Sequence, residues 1–316
     1  MPGGPDPASP RSATYRGRFA PSPTGHLHFG SLVAAVASYL AAQSVHGEWL
    51  VRIEDIDRPR EVPGSADSIL KTLDAFGFEW NGSIARQSER TSLYDAALAR
   101  LARDGLTYEC SCSRKDIAAV GAADSDETRY PGWCRAGPLQ RNAVCATRLR
   151  IAHEAVSFID EIQGSVTTNV SEDCGDFVLK RRDGLFAYQL VVVVDDADQG
   201  ITHVVRGADL LSSTPRQLLV QQSLGLSSPR YAHVPLATDD RGVKLSKSGG
   251  AGAVDATKPV EELWRALHFL RQEPPVELRL SPLRTLWEWA VHRWTTLPLR
   301  GLHRSPVETT TVNGSS

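Results

Sequence analysis

Apolar positions along the chain switch between two spacings, and the switches mark its elements. Residues 48–54 set Trp49, Val51 and Ile53 at every second place, the period of a strand with two distinct faces. A shorter extended run, 16–20, precedes them and runs into a Pro/Gly turn, and the alanine-rich stretch 31–44 between the two predicts a helix ending near Gly47. Strand, helix, strand at this length is a βαβ unit, which favours a parallel sheet with helices on its faces. Two more helices are expected. One starts at Pro63, a good first-turn residue, and stops near Gly77; the other starts from a Ser88 cap and stops at Gly105, with Leu93, Ala97, Leu98 and Leu101 on one face.

The texture changes over 108–182. Cysteines enter, a polar loop follows at 121–128, and short β-like runs occupy 146–151, 156–159 and 177–180 before an Asp183-Gly184 turn. This stretch reads as an insertion between two halves of one nucleotide fold. The sheet resumes at 201–205, a helix follows at 215–224 and a strand at 231–236, leading to a lysine-rich loop. Beyond it stand one clear helical segment, 260–270, and a Trp-rich stretch with Trp287, Trp289 and Trp294; no internal repeat is present. The expected division is a disordered lead (1–14), the two catalytic halves (15–109 and 183–250), the insertion (110–182), a short helical part (251–304) and a disordered tail (305–316).

Composition changes this picture little. The 316 residues suggest about two domains at roughly 150 each. With 41% hydrophobic and 23% charged residues the chain can bury a real core, and a net charge of −2 gives no global field toward nucleic acid, so any RNA contact must come from a local patch. No apolar run is long enough to span a membrane, and the Pro/Gly/Ser-rich lead lacks the apolar centre of a signal peptide. Five clustered cysteines, an odd number, argue against a secreted disulfide framework; a cytoplasmic location is expected.

Two distant segments carry phosphate chemistry. Lys244-Leu245-Ser246-Lys247-Ser248 sets two lysines on five residues beside Gly249-Gly250-Ala251-Gly252, so ammonium and backbone N–H groups can move onto developing charge. Upstream, Pro21-Ser22-Pro23-Thr24-Gly25-His26-Leu27-His28-Phe29-Gly30-Ser31 joins a strand end, a turn, a histidine and a helix start, the makings of a nucleotide-binding corner. Together His28-Phe29-Gly30-Ser31 and Lys244–Ser248 resemble the two ATP motifs of the class I aminoacyl-tRNA synthetases. The strings Arg18-Phe19-Ala20-Pro21-Ser22-Pro23-Thr24-Gly25, Arg52-Ile53-Glu54-Asp55-Ile56-Asp57 and Val205-Arg206-Gly207-Ala208-Asp209-Leu210-Leu211 narrow the resemblance to the glutamyl branch, over about 16–270. Within that branch the chain is similar to the short glutamyl-Q tRNA(Asp) synthetase family.

The resemblance implies a class I Rossmann-type α/β fold, ATP with Mg²⁺ as substrate, and site residues. Gly30 lets ATP approach the backbone, His28 donates to a phosphate oxygen, and Ser31 stands where many relatives carry a second histidine. From the residues alone, without the surrounding motif, His28 reads as a capping or turn histidine. Lys244 and Lys247 stabilise the triphosphate, with Lys247 making the ATP contact. The implied L-glutamate site is Arg18, Phe19, Ala20, Pro21, Ser22, Glu54, Tyr188 and Arg206: two guanidinium groups for carboxylates, Glu54 for the ammonium, and a phenol as donor. Two arginines favour glutamate over the neutral glutamine. Without the resemblance Arg52, Glu54, Asp55 and Asp57 would read as a solvated charge run and Arg206 as a strand-end cation paired with Asp209. Asp195 and Asp196 suit Mg²⁺, but structural hydrogen bonding is the stronger expectation.

Cys110, Cys112 and Cys134 fit tetrahedral Zn²⁺, in a structural role; the alternative is buried free thiols in a reducing compartment. Spacing leaves the fourth ligand open. Cys145 and Cys174 qualify on chemistry, whereas the resemblance points to Tyr130 of Tyr130-Pro131-Gly132-Trp133-Cys134. The residues after Ser248 are too few to hold the large helical anticodon-binding part of a full glutamyl-tRNA synthetase, the truncation by which the glutamyl-Q family is known. The implied acceptor is therefore the queuosine base in the anticodon of tRNA(Asp). Arg279, Arg284, Arg293, Arg300 and Arg304 could meet phosphate or form a solvated face. A truncated synthetase charging the tRNA 3′ end, and a non-catalytic synthetase-like RNA-binding protein, are the competing expectations.

Overall fold

A computed structural model describes residues 14–119, 129–152, 155–239 and 253–307. Its centre is a parallel sheet. Strands β1 (Arg16–Phe19), β2 (Glu48–Ile53) and β3 (Ala85–Arg86) pair in parallel, with Arg18 opposite Leu50 and Ile53 opposite Arg86. On the other side of β1 comes β9 (His203–Gly207), joined where Thr202 N donates to the Arg16 carbonyl at 2.9 Å and Arg16 N donates to Thr202 Oγ1 at 2.8 Å. Then follows β10 (Arg230–Val234), parallel to β9 with His233 opposite Arg206. Chain order thus reverses at β1, and its carboxyl end opens on a crevice, the place where ligands bind in open parallel sheets.

Helix α1 (Phe29–Gln43) crosses between β1 and β2. Its alanines let it sit close to its neighbours: Ala35, Ala37 and Ala42 are fully buried, along with Leu32, Val36 and Leu40. It packs on the sheet on one side and on α8 (Pro259–Phe269) on the other, where Phe29 and Phe269 meet edge to face at 5.8 Å. Helices α2 (Ser65–Ala75) and α3 (Thr91–Arg103) end at left-handed Gly77 and Gly105, as the stop residues predict. Ser88 does not cap α3; its N and Oγ both donate to Asp55, each at 2.8 Å, so a buried carboxylate takes the serine that a helix end would have used.

A second, antiparallel sheet runs β4 (Thr107–Cys110), β5 (Ala146–Leu149), β8 (Val178–Lys180). Two short helices, α4 (Arg114–Ala118) and α5 (Val170–Asp173), flank it. The extended runs expected at 146–151 and 177–180 belong here. The run at 156–159 does not: β6 (Val156–Asp160) pairs antiparallel with β7 (Gly164–Thr168) and joins β10 through Asp160 opposite Tyr231, so this hairpin extends the central sheet.

Several elements carried no sequence expectation. Helix α6 (Tyr188–Asp198) contains Val191, Val192, Val193 and Val194, a run that suits a strand; packing against α3 and α7 (Thr214–Ser223) makes it helical. Helix α9 (Leu283–Arg293) turns the Trp-rich stretch inward: Trp287 Nε1 donates to the Phe76 carbonyl at 2.8 Å and its ring meets Tyr39 at 4.9 Å and Phe78 at 5.1 Å. Strand β11 (Leu236–Thr238) pairs in parallel with β12 (Arg304–Pro306), where no apolar pattern had signalled a strand. Ser305 and Pro306, expected to begin a disordered tail, are thus ordered by pairing with β11. Arg284 pairs with Glu288 at 2.8 Å and Arg279 with Glu261 at 3.5 Å, which favours the solvated-face reading for these two. Among the described residues no helix is long and apolar enough to cross a membrane.

Candidate active site

The crevice begins where β1 ends. Glu54 N donates to the Pro21 carbonyl (3.0 Å) and Val62 N to the Pro23 carbonyl (2.9 Å), tying the turn to the end of β2. Gly25 adopts φ 133°, a conformation that favours glycine, and both its N and its carbonyl bond Ser65 Oγ at the start of α2. The chain then enters α1 with His28 as N-cap. Its Nδ1 accepts from Ser31 N at 3.2 Å, so in the neutral ring the proton sits on Nε2, which faces Ser31 Oγ at 3.0 Å. The capping role weighed for His28 is therefore real, and the same tautomer keeps an N–H at the mouth of the helix. Among the described residues a Cβ on Gly30 would meet only the His28 ring, at an ordinary 3.5 Å, so their packing does not demand glycine there.

Above this corner lies a cleft of about 1090 Å³. Arg18, Phe19, Ala20, Pro21 and Ser22 of the β1 end line it, with His28, Gly30 and Ser31, Glu54 after β2, Tyr188 at the start of α6, and Arg206 near the end of β9. Five separate parts of the chain thus converge on one space.

Buried charge fixes the walls. Arg18 Nε donates to Asp196 Oδ1 at 3.2 Å, and Arg52 lies 2.8 Å from the same carboxylate. Arg52, fully buried, also meets Glu54 at 3.2 Å and Asp195 at 3.6 Å. Asp195 further accepts from Arg90, Gln87 and the Tyr94 hydroxyl. The expectation that Asp195 and Asp196 are structural agrees with these bonds, and Arg52, Glu54 and Asp55 are no solvated run. Burial works against ionisation of Asp196, but Arg18 and Arg52 outweigh it and hold the carboxyl below its usual range. For Glu54 burial prevails over Arg52 and Arg18, and its affinity for a proton rises.

Arg206 is held differently. Its Nε bonds His233 Nε2 at 3.0 Å, its Nη2 donates to Thr214 Oγ1 at 2.9 Å and Gln217 Oε1 at 2.8 Å, and its Nη1 lies 3.4 Å from the Tyr188 hydroxyl. These partners orient the fork without neutralising it. Thr214, Gln217 and His233 went unnoticed in the sequence; the one available signal was a histidine within an otherwise apolar strand.

A second constellation stands at the end of β4. The Sγ atoms of buried Cys110, Cys112 and Cys134 lie within 4.8 Å of one another, with Cys112 and Cys134 3.6 Å apart. The Tyr130 oxygen lies 3.4 Å from Cys110 Sγ and 3.8 Å from Cys112 Sγ. Tetrahedral bonds of about 2.3 Å to sulfur imply S–S edges of roughly 3.8 Å, so the spacing fits a zinc-sized ion. Cys145 and Cys174 bond backbone carbonyls and stand outside the three-sulfur group. Burial pushes the Cys112 thiol up to about 12. Burial also opposes ionisation of Cys134, but donors from Tyr130 and from the Leu139 and Ser111 backbone draw it down to about 6. Arg148 stacks its guanidinium 3.8 Å above the Tyr130 ring, placing positive charge against the cluster.

Lys244 and Lys247 lie outside the described residues. The chain leads toward that segment through β11, whose Leu236 and Ala237 line the cleft, and returns from it at Ala253, which bridges His28.

A family model for class I tRNA synthetases (E and Q), catalytic domain, matches residues 14–263. A glutamyl-Q tRNA(Asp) synthetase of Dechloromonas aromatica is 55% identical over 286 residues, 90% of this chain and 95% of that protein. One from Pseudomonas aeruginosa is 52% identical over 90% of this chain and 94% of its own length. Among solved structures, a glutamate-tRNA synthetase from Elizabethkingia anophelis superposes with a TM-score of 0.76 at 23% identity, covering 94% of this chain and 68% of that one, a likeness of fold. The reversal of strand order at β1, the corner at His28 and these matches lead to one conclusion: the chain belongs to the class I tRNA synthetases of the E and Q type, in the family of the glutamyl-Q tRNA(Asp) synthetases.

Proposed function

We propose that the protein activates L-glutamate with MgATP and transfers the glutamyl group to the queuosine base in the anticodon of tRNA(Asp). The observation that carries the activation step is the convergence of Arg18, Glu54, Tyr188 and Arg206 on the cleft that also receives the His28 corner. The two arginines meet the two carboxylates of glutamate, Glu54 accepts from its ammonium, and the Tyr188 hydroxyl donates. Phe19, Ala20, Pro21 and Ser22 supply the wall between them. His28, Ser31 and the first N–H groups of α1 take the ATP phosphates, and Gly30 leaves room for them. Lys244 and Lys247, which follow β11 in the sequence, supply positive charge against the negative charge of the Mg²⁺-bound triphosphate.

An oxygen of the α-carboxylate attacks the α-phosphorus, the bond to the β-phosphate oxygen breaks, and pyrophosphate leaves. A hydroxyl of the queuosine cyclopentenediol then attacks the activated carbonyl, loses its proton, and AMP departs. No covalent enzyme intermediate is needed; positioning and charge stabilisation carry the rate. The acceptor rests on the likeness to glutamyl-Q tRNA(Asp) synthetases, more than half identical along nearly their whole length. Cys110, Cys112, Cys134 and Tyr130 hold one structural Zn²⁺, a reading that their mutual spacing supports. The substrates and the reduced thiols suit the cytoplasm.

Incubation with labelled glutamate, ATP and tRNA, and then mapping of the label, tests the proposal. Label on the anticodon nucleoside of tRNA(Asp) is expected, with ATP–pyrophosphate exchange already present without tRNA. Label on the terminal adenosine would make the protein a 3′-charging synthetase, and no label at all a non-catalytic relative.

A further inference from the structure

We infer that Asp160 and His233, two buried residues behind the cleft, are positioning residues for the carboxylate-binding Arg206, acting through the tautomer of the imidazole. The inference rests on the reading that Arg206 holds a glutamate carboxylate. His233 is 0% exposed and Asp160 1% exposed, so both act from behind Arg206. Asp160 Oδ1 accepts three backbone N–H groups, from Ile162 (3.0 Å), Gln163 (2.8 Å) and His233 (3.1 Å). Its Oδ2 lies 2.6 Å from His233 Nδ1. Four donors on one carboxylate leave it no freedom to turn.

An ionised Asp160 offers only acceptors, so the imidazole must carry its proton on Nδ1. Nε2 is then a lone pair, and it faces a group that cannot accept: Arg206 Nε, at 3.0 Å. The Thr214 hydroxyl, 3.2 Å from Nε2, can donate or accept and suits either tautomer. Cross-strand register puts His233 and Arg206 directly opposite each other on β10 and β9. With Nε satisfied by His233 and Nη2 by Thr214 and Gln217, the guanidinium plane is fixed and Nη1 is left toward Tyr188 and the cleft. The alternative tautomer would aim an N–H at an N–H. It would push the fork out of plane and misdirect the cleft-facing donors by an amount that matters for a bidentate contact.

Asp160→Asn tests this with little change of shape. The amide oxygen can still accept from the backbone, but its NH₂ now donates to Nδ1 and drives the proton to Nε2. The expected result is a rise of about tenfold or more in the glutamate KM in ATP–pyrophosphate exchange, the scale of one charge-assisted hydrogen bond. The ATP KM should stay unchanged, and ¹⁵N NMR of labelled histidine should report the switched tautomer. A second pair keeps the test decisive if that variant folds poorly. His233→Gln, whose side-chain oxygen can occupy the Nε2 position, should retain a lower glutamate KM than His233→Asn, which can donate to Asp160 but cannot reach Arg206. Equal glutamate KM values in Asp160→Asn and the parent, or in the two His233 variants, overturn the inference. Arg206→Lys separates the two levels: an unchanged glutamate KM there removes the underlying reading of Arg206. A raised value there with a normal Asp160→Asn removes only the positioning role.

Discussion

At the scale of single residues, the cleft separates side chains held by buried ion pairs from those proposed to meet a ligand. Asp196 and Arg52 are locked to each other and to Arg18 and Glu54, so removing one partner would strand buried charge, at a cost of about 3–5 kcal/mol. Gly30 is the opposite case. Its backbone is helical and, among the described residues, a methyl group there would touch only the His28 ring at 3.5 Å. Alanine is the better helix former by up to about 1 kcal/mol. Gly30→Ala should therefore leave the melting temperature equal or slightly higher while raising the KM for ATP about tenfold, because the proposed function gives the lost space to the nucleotide. Calorimetry and pyrophosphate exchange on the same preparation check both halves. An ATP KM that does not move would remove Gly30 from the site.

At the scale of elements, the knuckle after β4 depends on chemistry more than on packing. Among the described residues its apolar cluster consists of Cys110, Cys112, Ile117, Tyr130 and Cys134 with Tyr108 packed against it, a small core that a metal bond would reinforce. Burial keeps Cys112 protonated and raises the Tyr130 hydroxyl too, so loading a metal must expel protons, and affinity should fall as pH falls. The purified protein should carry about one zinc per chain, and chelation should expose the segment around 110–134 to proteolysis while the central sheet stays protected. Elemental analysis finding no zinc, with unchanged protease resistance after chelation, would return these residues to the class of buried free thiols. Helix α6 shows the same dependence on context: its four consecutive valines are helical where it packs on α3 and α7, with Val191, Val192 and Val193 buried.

At the scale of the whole molecule, the buried network couples stability to pH. His233 and His203 hold protons less tightly than in an open chain, chiefly through burial. Asp160, Asp176 and Asp196 also ionise more easily in the fold than out of it, each against burial, through His233, Arg135 and Arg18 respectively. In every one of these cases the unfolded chain binds more protons than the folded one. The contribution of these five groups is therefore full above the histidine value of 6.5 and declines as pH drops below it, first through the histidines and then through the carboxylates. Glu54, raised by burial, has the opposite sign and trims the effect. The unfolding midpoint should fall steadily from about pH 7 to about pH 5; a flat midpoint over that range would mean the network relaxes in solution.

Much of this was legible in one dimension. The spacing of Trp49, Val51 and Ile53, the alanine-rich helix before it and the glycine stops at Gly77 and Gly105 are local signals, because strand period, helix propensity and left-handed turns are set by neighbouring residues. The motif residues from Arg18 to Ser31, with Glu54, Tyr188 and Arg206, could be named as a set only through the family resemblance that their strings carry. Their meeting in one cleft could not, since it results from the reversal of strand order at β1. Nor could α6 or the inward turn of Trp287 be read, because burial by distant partners overrode local preference there, and the sheet that the β6–β7 hairpin joins is set by its pairing with β10. The tautomer of His233 lies furthest from the sequence: it depends on a carboxylate 73 positions away, brought within 2.6 Å only by the pairing of two strands.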